Sequence, residues 1–329
     1  MNKKFNSIYG YHIKKFIEMK RAFGFKCKTE VSVLLHIDAL AVKRKETLPG
    51  ITKEFAEEWR QKRLHESENY RYHRVRCLAQ FSSYLNDLSI QSYIPKLLPY
   101  PKSSFIPYIY SAKEISSLFN ACDELRLASA TKDTILFSFP VLFRLLYATG
   151  LRISEALALR NEDVNLEENY LLVKDCKNGK ERIIPISDSL SLVCKEYVKY
   201  RKLLPSEKVK SGYFFVKLDG SKICSLSAVQ NWFKKCLKKV GIHYVGRNHG
   251  PRLHDLRHTF AVHSLTSMIE AGIDLYVSLP ILSNYLGHQS LDATEHYVRL
   301  TANMYPDLVN EMNMVCLDVF PKFRNYETD

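Results

Sequence analysis

The chain has no run of eighteen apolar residues, so no segment of it is expected to cross a bilayer as a helix. Its first residues, M-N-K-K-F-N-S-I-Y-G-Y-H, lack the apolar centre of a secretory signal. Cysteines are scattered at 27, 77, 122, 176, 194, 224, 236 and 316, with no C-x-x-C pair and no histidine at zinc spacing. They read as reduced thiols of a cytoplasmic protein, not as a disulfide frame or a metal site. A G-x-x-x-x-G-K-[ST] loop is missing, and so is an acidic cluster of the kind that holds magnesium or calcium. No low-complexity tract interrupts the 329 residues, 46% of which are hydrophobic, as in a globular protein.

What the chain has in excess is positive charge. The net charge is +13, which favours a polyanionic partner, nucleic acid before membrane. The excess is uneven. Residues 1–104 carry 20 Lys and Arg against 10 Asp and Glu, so +10 of it lies in the first third. The length suggests two domains. The first, 1–90, reads as four helices. Phe5, Ile8, Tyr9, Ile13, Phe16 and Ile17 make one apolar stripe, ended near Gly24. A second run covers 30–42, and Pro49-Gly50 marks a turn. Thr52 caps a third helix with Phe55 and Trp59. The fourth, 70–88, buries Val75, Leu78, Ala79 and Leu85 and opens on a basic face with Arg71, Arg74 and Arg76. Such a face suits a duplex backbone, where each cation displaces condensed counterions. Four prolines in 91–110 make that stretch a semi-rigid tether.

The second domain, 111–329, opens with a capping box, Ser111 and Glu114. A helix over 136–148 ends at Gly150, and Arg152 follows directly, before a short amphipathic helix over 154–159. An arginine framed by so apolar a run is either paired with Glu155 or Glu162, or held rigidly for a phosphate. Residues 170–174 and 182–186 are β-like and flank C-K-N-G-K, a turn by its Asn-Gly. That hairpin carries Lys177 and Lys180 at its tip, where a lysine can enter a groove and hand over a proton. Ser225 or Ser227 starts a helix with Val229, Trp232, Phe233, Cys236, Leu237 and Val240 inward. Finally come P-R-L-H-D-L-R-H-T-F-A from Pro251, then L-G-H-Q-S and T-E-H-Y. His254 and Arg257 lie three apart on a helix face. Gly287 stops a helix just before His288, and Tyr297 falls early in the next one, started by Ser290 or Asp292. Two imidazoles, a guanidinium and a phenol suit an attack on phosphate, with the fork of arginine on its oxygens.

These pieces, with A-T-G-L-R-I-S-E-A-L-A-L at 148–159 and K-N-G-K-E-R-I-I-P-I at 177–186, resemble the tyrosine recombinase (phage integrase) family in order and spacing. The resemblance covers about 105 to 320 in its catalytic part. It implies a mostly α fold with a small antiparallel β-sheet: an N-terminal helical core-binding (SAM-like) domain and an α+β catalytic domain closing on DNA from opposite sides. It implies a site-specific DNA recombinase working through a 3′-phosphotyrosine, with Arg152, Lys177, His254, Arg257, His288 and Tyr297 as its catalytic residues. The acid role goes to the lysine that opens the turn, hence Lys177, with Lys180 as the alternative, because Cys176-Lys177-Asn178 stands where the family more often has Gly-Lys-Gly. Lys180 then joins Arg71, Arg74 and Arg76 as a DNA contact. His254 accepts the phenol's proton or hydrogen-bonds the phosphate, whereas His258, His263 and His296 lack motif support and read as structural. No cofactor and no metal is implied. The partners implied are double-stranded DNA core sites and a homo-tetramer on two duplexes, in a bacterial cytoplasm at the nucleoid. No arm-binding domain of usual size is expected ahead of the first helix. The amphipathic tail with Asp307, Leu308, Val309, Met312, Val315 and Leu317 is expected to dock on a neighbouring protomer. A topoisomerase-like relaxing enzyme and a non-catalytic DNA-binding regulator are the alternatives.

Overall fold

The computed structural model describes residues 4–101, 106–126, 134–174, 181–204, 212–244, 250–288 and 290–304. The chain divides into two compact units, Met1–Ser104 and Phe105–Asp329.

The first unit is built of α1 (Gly10–Ala22), α2 (Lys28–Arg44), α3 (Lys53–Arg60) and α4 (Glu68–Asp87). Helix starts follow side-chain chemistry. Thr52 accepts from the amide of Phe55, and Ser67 from that of Tyr70, each satisfying an amide the helix itself leaves open. Tyr9, Ile13, Phe16, Ile37, Phe55, Trp59, Leu78, Phe81 and Leu85 close around one apolar core. Asp38 holds the start of α1 by accepting from the amides of Asn6 and Ser7.

This core corrects one expectation about the basic face. Arg74 is fully buried. Its guanidinium is forked onto Glu66, with Nη2 2.9 Å from Oε2, and lies 5.1 Å from the centre of the Trp59 ring. It also donates to the carbonyl of Gln61. A DNA phosphate cannot reach it. The reason is helical spacing: Arg74 precedes Leu78 by four positions and so shares the inward stripe, and a guanidinium on that stripe must bring its own counter-charge. Arg71 is half-buried and donates from Nε to the carbonyl of Arg60 at 3.1 Å, while Arg76 is exposed.

The second unit contains α5 (Ala112–Asp123), α6 (Phe139–Thr149), the single turn α7 (Ile153–Ala156), β1 (Val164–Asn165), β2 (Tyr170–Val173), β3 (Arg182–Pro185), α8 (Asp188–Arg201), α9 (Leu226–Val240), α10 (Asp255–Glu270), α11 (Leu275–Leu286) and α12 (Asp292–Met304). Ser111 and Glu114 form the expected capping box. The sheet is antiparallel in the order β1-β2-β3, with Leu171 opposite Ile184 and Val173 opposite Arg182. Leu171, Val173 and Ile184 are buried, so the hairpin is fastened to the core by alternate residues. The helix expected over 154–159 is only the turn α7, and β1 is a strand the alternation did not reveal.

The main core runs through α5, α6, α8 and α9. A smaller cluster of Ala261, Val262, Leu265, Leu282, Leu286, Tyr297 and Leu300 joins α10, α11 and α12. Two glycines close the ends of α6 and α11. Gly150 has φ +58, and a Cβ there would come within 2.4 Å of Phe260 and 3.0 Å of Leu286. Gly287 has φ +66, and its Cβ would come within 2.9 Å of the Arg182 guanidinium. Each glycine serves a left-handed cap and a close approach at once.

Gly241 tests that distinction, because it has φ +80 and open space around it. Gly241→Ala is expected to cost only backbone strain, about 1 kcal/mol. Gly150→Ala is expected to cost roughly 1–3 kcal/mol more through overpacking. Equal losses in urea midpoints would refute the close-packing account of Gly150.

Candidate active site

Arg257, on the first turn of α10, is buried at 3% exposure. It donates from Nη1 to the carbonyl of Gly150 and from Nη2 to that of Leu286, both at 2.8 Å. One guanidinium thereby joins the ends of α6 and α11, which lie 107 and 29 residues away in sequence. Those carbonyls belong to helix ends, which have no internal donor. Burial, and then the neighbouring Arg152, push Arg257 down to about 10.

Arg152 sits at the start of α7, where its amide and Nη1 both donate to Glu155, at 3.0 and 2.9 Å. Its side chain keeps 27% of its surface open. Glu155 is buried and also receives Arg182 from β3, with Nη2 at 3.0 Å. Burial alone would raise this carboxyl, but the hydrogen bonds from Arg182 and Arg152 outweigh it and hold Glu155 below its ordinary value. Arg182 in turn donates from Nε to the carbonyl of Tyr285 at 3.0 Å, so β3, α7 and α11 meet at one charge cluster. Three guanidiniums around one carboxylate leave a positive surplus suited to an anion.

Tyr297 lies in the second turn of α12 with 3% of its surface exposed. Its hydroxyl is 3.2 Å from Nδ1 of His258. The His288 ring stacks near it, with centroids 6.1 Å apart and planes 17° apart. Burial raises the phenol, while the charge and hydrogen bonding of Arg257 and then the charge of Arg152 act the other way. His288 is held by Thr294, with Nδ1 2.7 Å from the hydroxyl. If that hydroxyl donates, Nε2–H of His288 is the nitrogen left to face a phosphate. His254 caps α10 without a side-chain capping bond, and its ring meets His258 edge-on at 5.0 Å. Crowding by protein lowers His254 to about 4, followed by Arg257, Arg252 and Arg152. Because His254 keeps an exposed surface, solvent softens the first of these effects.

The phage integrase family model matches residues 109–304. An integrase/recombinase of Sinorhizobium fredii, y4rB, is 31% identical over 307 residues, covering 93% of this chain and 96% of its own. The chain belongs to the phage integrase family. As such it is a site-specific DNA recombinase, which breaks and rejoins DNA strands. The tyrosine recombinase XerA of Pyrococcus horikoshii is 32% identical over 65% of this chain and 64% of its own. A lambda integrase tetramer bound to a Holliday junction shares the fold, with a TM-score of 0.59, 16% identity, and coverage of 87% of this chain and 76% of that one.

Of the six side chains expected at the recombinase's centre, Arg152, His254, Arg257, His288 and Tyr297 are gathered here. Lys177 lies outside the described residues, as do Lys180 and the tail from Asp307 to Leu317. Arg152 turns out to be paired with Glu155 and partly open at the same time, so the two readings of it are compatible. His263 is engaged with Tyr147 at 3.1 Å, away from this cluster. Glu155 was named as a partner for Arg152, but two contributors, Arg182 and His258, were not legible beforehand. Arg182 and Glu155 show as a pair only when β3 meets α7. His258 was read as structural, although its place four residues after His254 puts both rings on one face of the helix.

The histidines make acid stability a test. Burial, then guanidinium charge, lowers His288 to about 4, and burial, then the charge of neighbouring histidines and arginines, lowers His258 to about 3. Both start from 6.5, so below that pH the unfolded chain binds protons that the folded chain refuses. Stability is therefore expected to be unaffected by these groups above about pH 7 and to fall as pH drops from about 6.5 to 4. The slope is at most about 1.4 kcal/mol per pH unit per histidine. Urea midpoints at pH 7.5 and 5 should differ less in His288→Gln than in wild type; an unchanged difference removes His288 from the explanation.

Proposed function

We propose that Tyr297 is the nucleophile with which this recombinase opens a DNA phosphodiester, leaving a 3′-phosphotyrosine and a free 5′-hydroxyl. The observation that carries this reading is the grouping of the Tyr297 hydroxyl with the Arg257 guanidinium and the imidazoles of His258 and His288. Arg152 and Arg257 hold the non-bridging oxygens and offset the charge that builds on pentavalent phosphorus. His288 adds a hydrogen bond through Nε2, and His254, at the open side, another. Lys177 protonates the departing 5′ oxygen. The phosphate ester is conserved in the enzyme link, so the freed hydroxyl of another strand can reverse the step without an energy source.

The N-terminal domain, 1–90, holds core-site DNA, and 91–110 tethers it to the catalytic domain. Arg76, exposed in the third turn of α4, meets the phosphate backbone, with Arg71 on the same helix. Arg74 has no part in this. Strand exchange needs four such centres on two duplexes, so the working form is a homo-tetramer, as for the lambda integrase on its Holliday junction.

A nicked suicide duplex carrying the DNA that the purified protein protects from nuclease tests the chemistry. Wild type is expected to accumulate a covalent adduct and Tyr297→Phe none. An adduct that survives Tyr297→Phe disproves the nucleophile assignment.

The DNA face is tested by salt. Arg76→Ala is expected to reduce the steepness of log affinity against log salt by about 0.9 on any duplex. Arg74→Ala should leave that slope alone and instead cost about 3–5 kcal/mol of stability, because Glu66 is left unpaired in the core. A shallower salt slope in a well-folded Arg74→Ala protein would reverse the two assignments.

A further inference from the structure

We propose that His258 is a further catalytic residue, taking the phenolic proton of Tyr297 onto Nδ1 as the Tyr297 oxygen attacks phosphorus. The inference rests on Tyr297 being the nucleophile. Its basis is placement. Nδ1 of His258 is 3.2 Å from the hydroxyl of Tyr297. Among the described residues no hydrogen bond joins His254 to that hydroxyl; the His254 ring meets His258 instead.

Donor and acceptor counting narrows the role. A phenol has one proton to give and lone pairs that accept. Arg257, whose charge acts on this oxygen, has only donors, so it can meet the lone pairs but cannot receive the proton. Glu155 is taken up by Arg152 and Arg182, and Nδ1 of His288 by Thr294. Among the described residues, Nδ1 of His258 is the acceptor in reach of that hydroxyl.

The charged and titratable groups around His258 are known from each side. His254 and Arg257 share α10, Arg252 stands on the turn before it, and His296 and Tyr297 come from α12. Burial, and then the charges of His254, Arg252, His296 and Arg257, keep the imidazole neutral, which leaves a lone pair available. A scissile phosphate beside Arg152 and Arg257 adds negative charge and offsets those cations, so the ring becomes a better base when substrate is bound. The proton therefore moves during attack, not before it.

The step balances. The Tyr297 O–H bond breaks and an Nδ1–H bond forms on His258. The Tyr297 O–P bond forms as the bond from phosphorus to the 5′ oxygen breaks, and that oxygen is protonated by Lys177. In rejoining, the 5′-hydroxyl attacks phosphorus and returns its proton to Lys177, the Tyr297 O–P bond breaks, and the phenolate recovers its proton from Nδ1.

Single-turnover cleavage of the nicked suicide duplex decides it. His258→Gln, which keeps a polar group but takes no proton, is expected to cleave roughly 10²–10³-fold more slowly at pH 7 with DNA affinity within about threefold of wild type. The deficit should shrink about tenfold per pH unit between pH 7 and 9, as hydroxide supplies the phenolate that the imidazole no longer does. Cleavage by His258→Gln and His258→Ala within about threefold of wild type at pH 7, with an unchanged pH profile, overturns the proposal. An adduct in Tyr297→Phe overturns the nucleophile reading instead, so the two failures are distinct. If the variants do not fold, nitrogen NMR of wild type labelled in its histidine rings decides: His258 is expected unprotonated at Nδ1 and protonated at Nε2 at neutral pH. A proton on Nδ1 sinks the proposal.

Discussion

A buried guanidinium organises the catalytic unit. Arg257 reaches the carbonyls of Gly150 and Leu286 and, through them, fixes where Arg152 and His288 begin. Arg152 follows Gly150 by two positions, and His288 follows Leu286 by two. Both segments leave their helices through a left-handed glycine, so the direction of each exit is set by backbone geometry rather than by a flexible side chain. The cost of burying the charge is met by carbonyl dipoles that had no other partner. The guanidinium proposed to hold phosphate is thus also a structural bolt.

Charge in this region is arranged for an anion that arrives late. Arg152 and Arg182 pair with the single buried carboxylate of Glu155, Arg257 feels its charge, and the histidines near them are held neutral. Neutral imidazoles each offer one donor and one acceptor, which a charged ring would not. The Tyr297 ring packs into the apolar cluster of α10, α11 and α12, and burial raises its phenol.

The two arginines of α4 show how closely function and packing can resemble each other in a sequence. Arg74 and Arg76 are two residues apart and look alike as basic residues near a helix start. One closes a core against Glu66 and Trp59, and the other faces solvent. Their helical phase separates them by about 200°. Attention to the apolar stripe through Leu78 and Leu85 would have assigned Arg74 inward without any coordinates.

Most of the framework is legible in the residues themselves. Helix starts at Thr52, Ser111 and Ser225, glycine stops at 150 and 287, and strands flanking an Asn-Gly turn are local events, governed by backbone amides and side-chain oxygens a few positions apart. The five motif residues Arg152, His254, Arg257, His288 and Tyr297 could also be named, because the order and spacing of their motifs resemble those of the tyrosine recombinase family. What the linear order could not decide is who touches whom. That Arg182 shares Glu155 with Arg152, and that His258 rather than His254 meets the phenol, depends on how α10, α12 and β3 pack. Those contacts span 27 and 39 residues, and side-chain direction across such gaps is set by tertiary packing, which no local rule encodes.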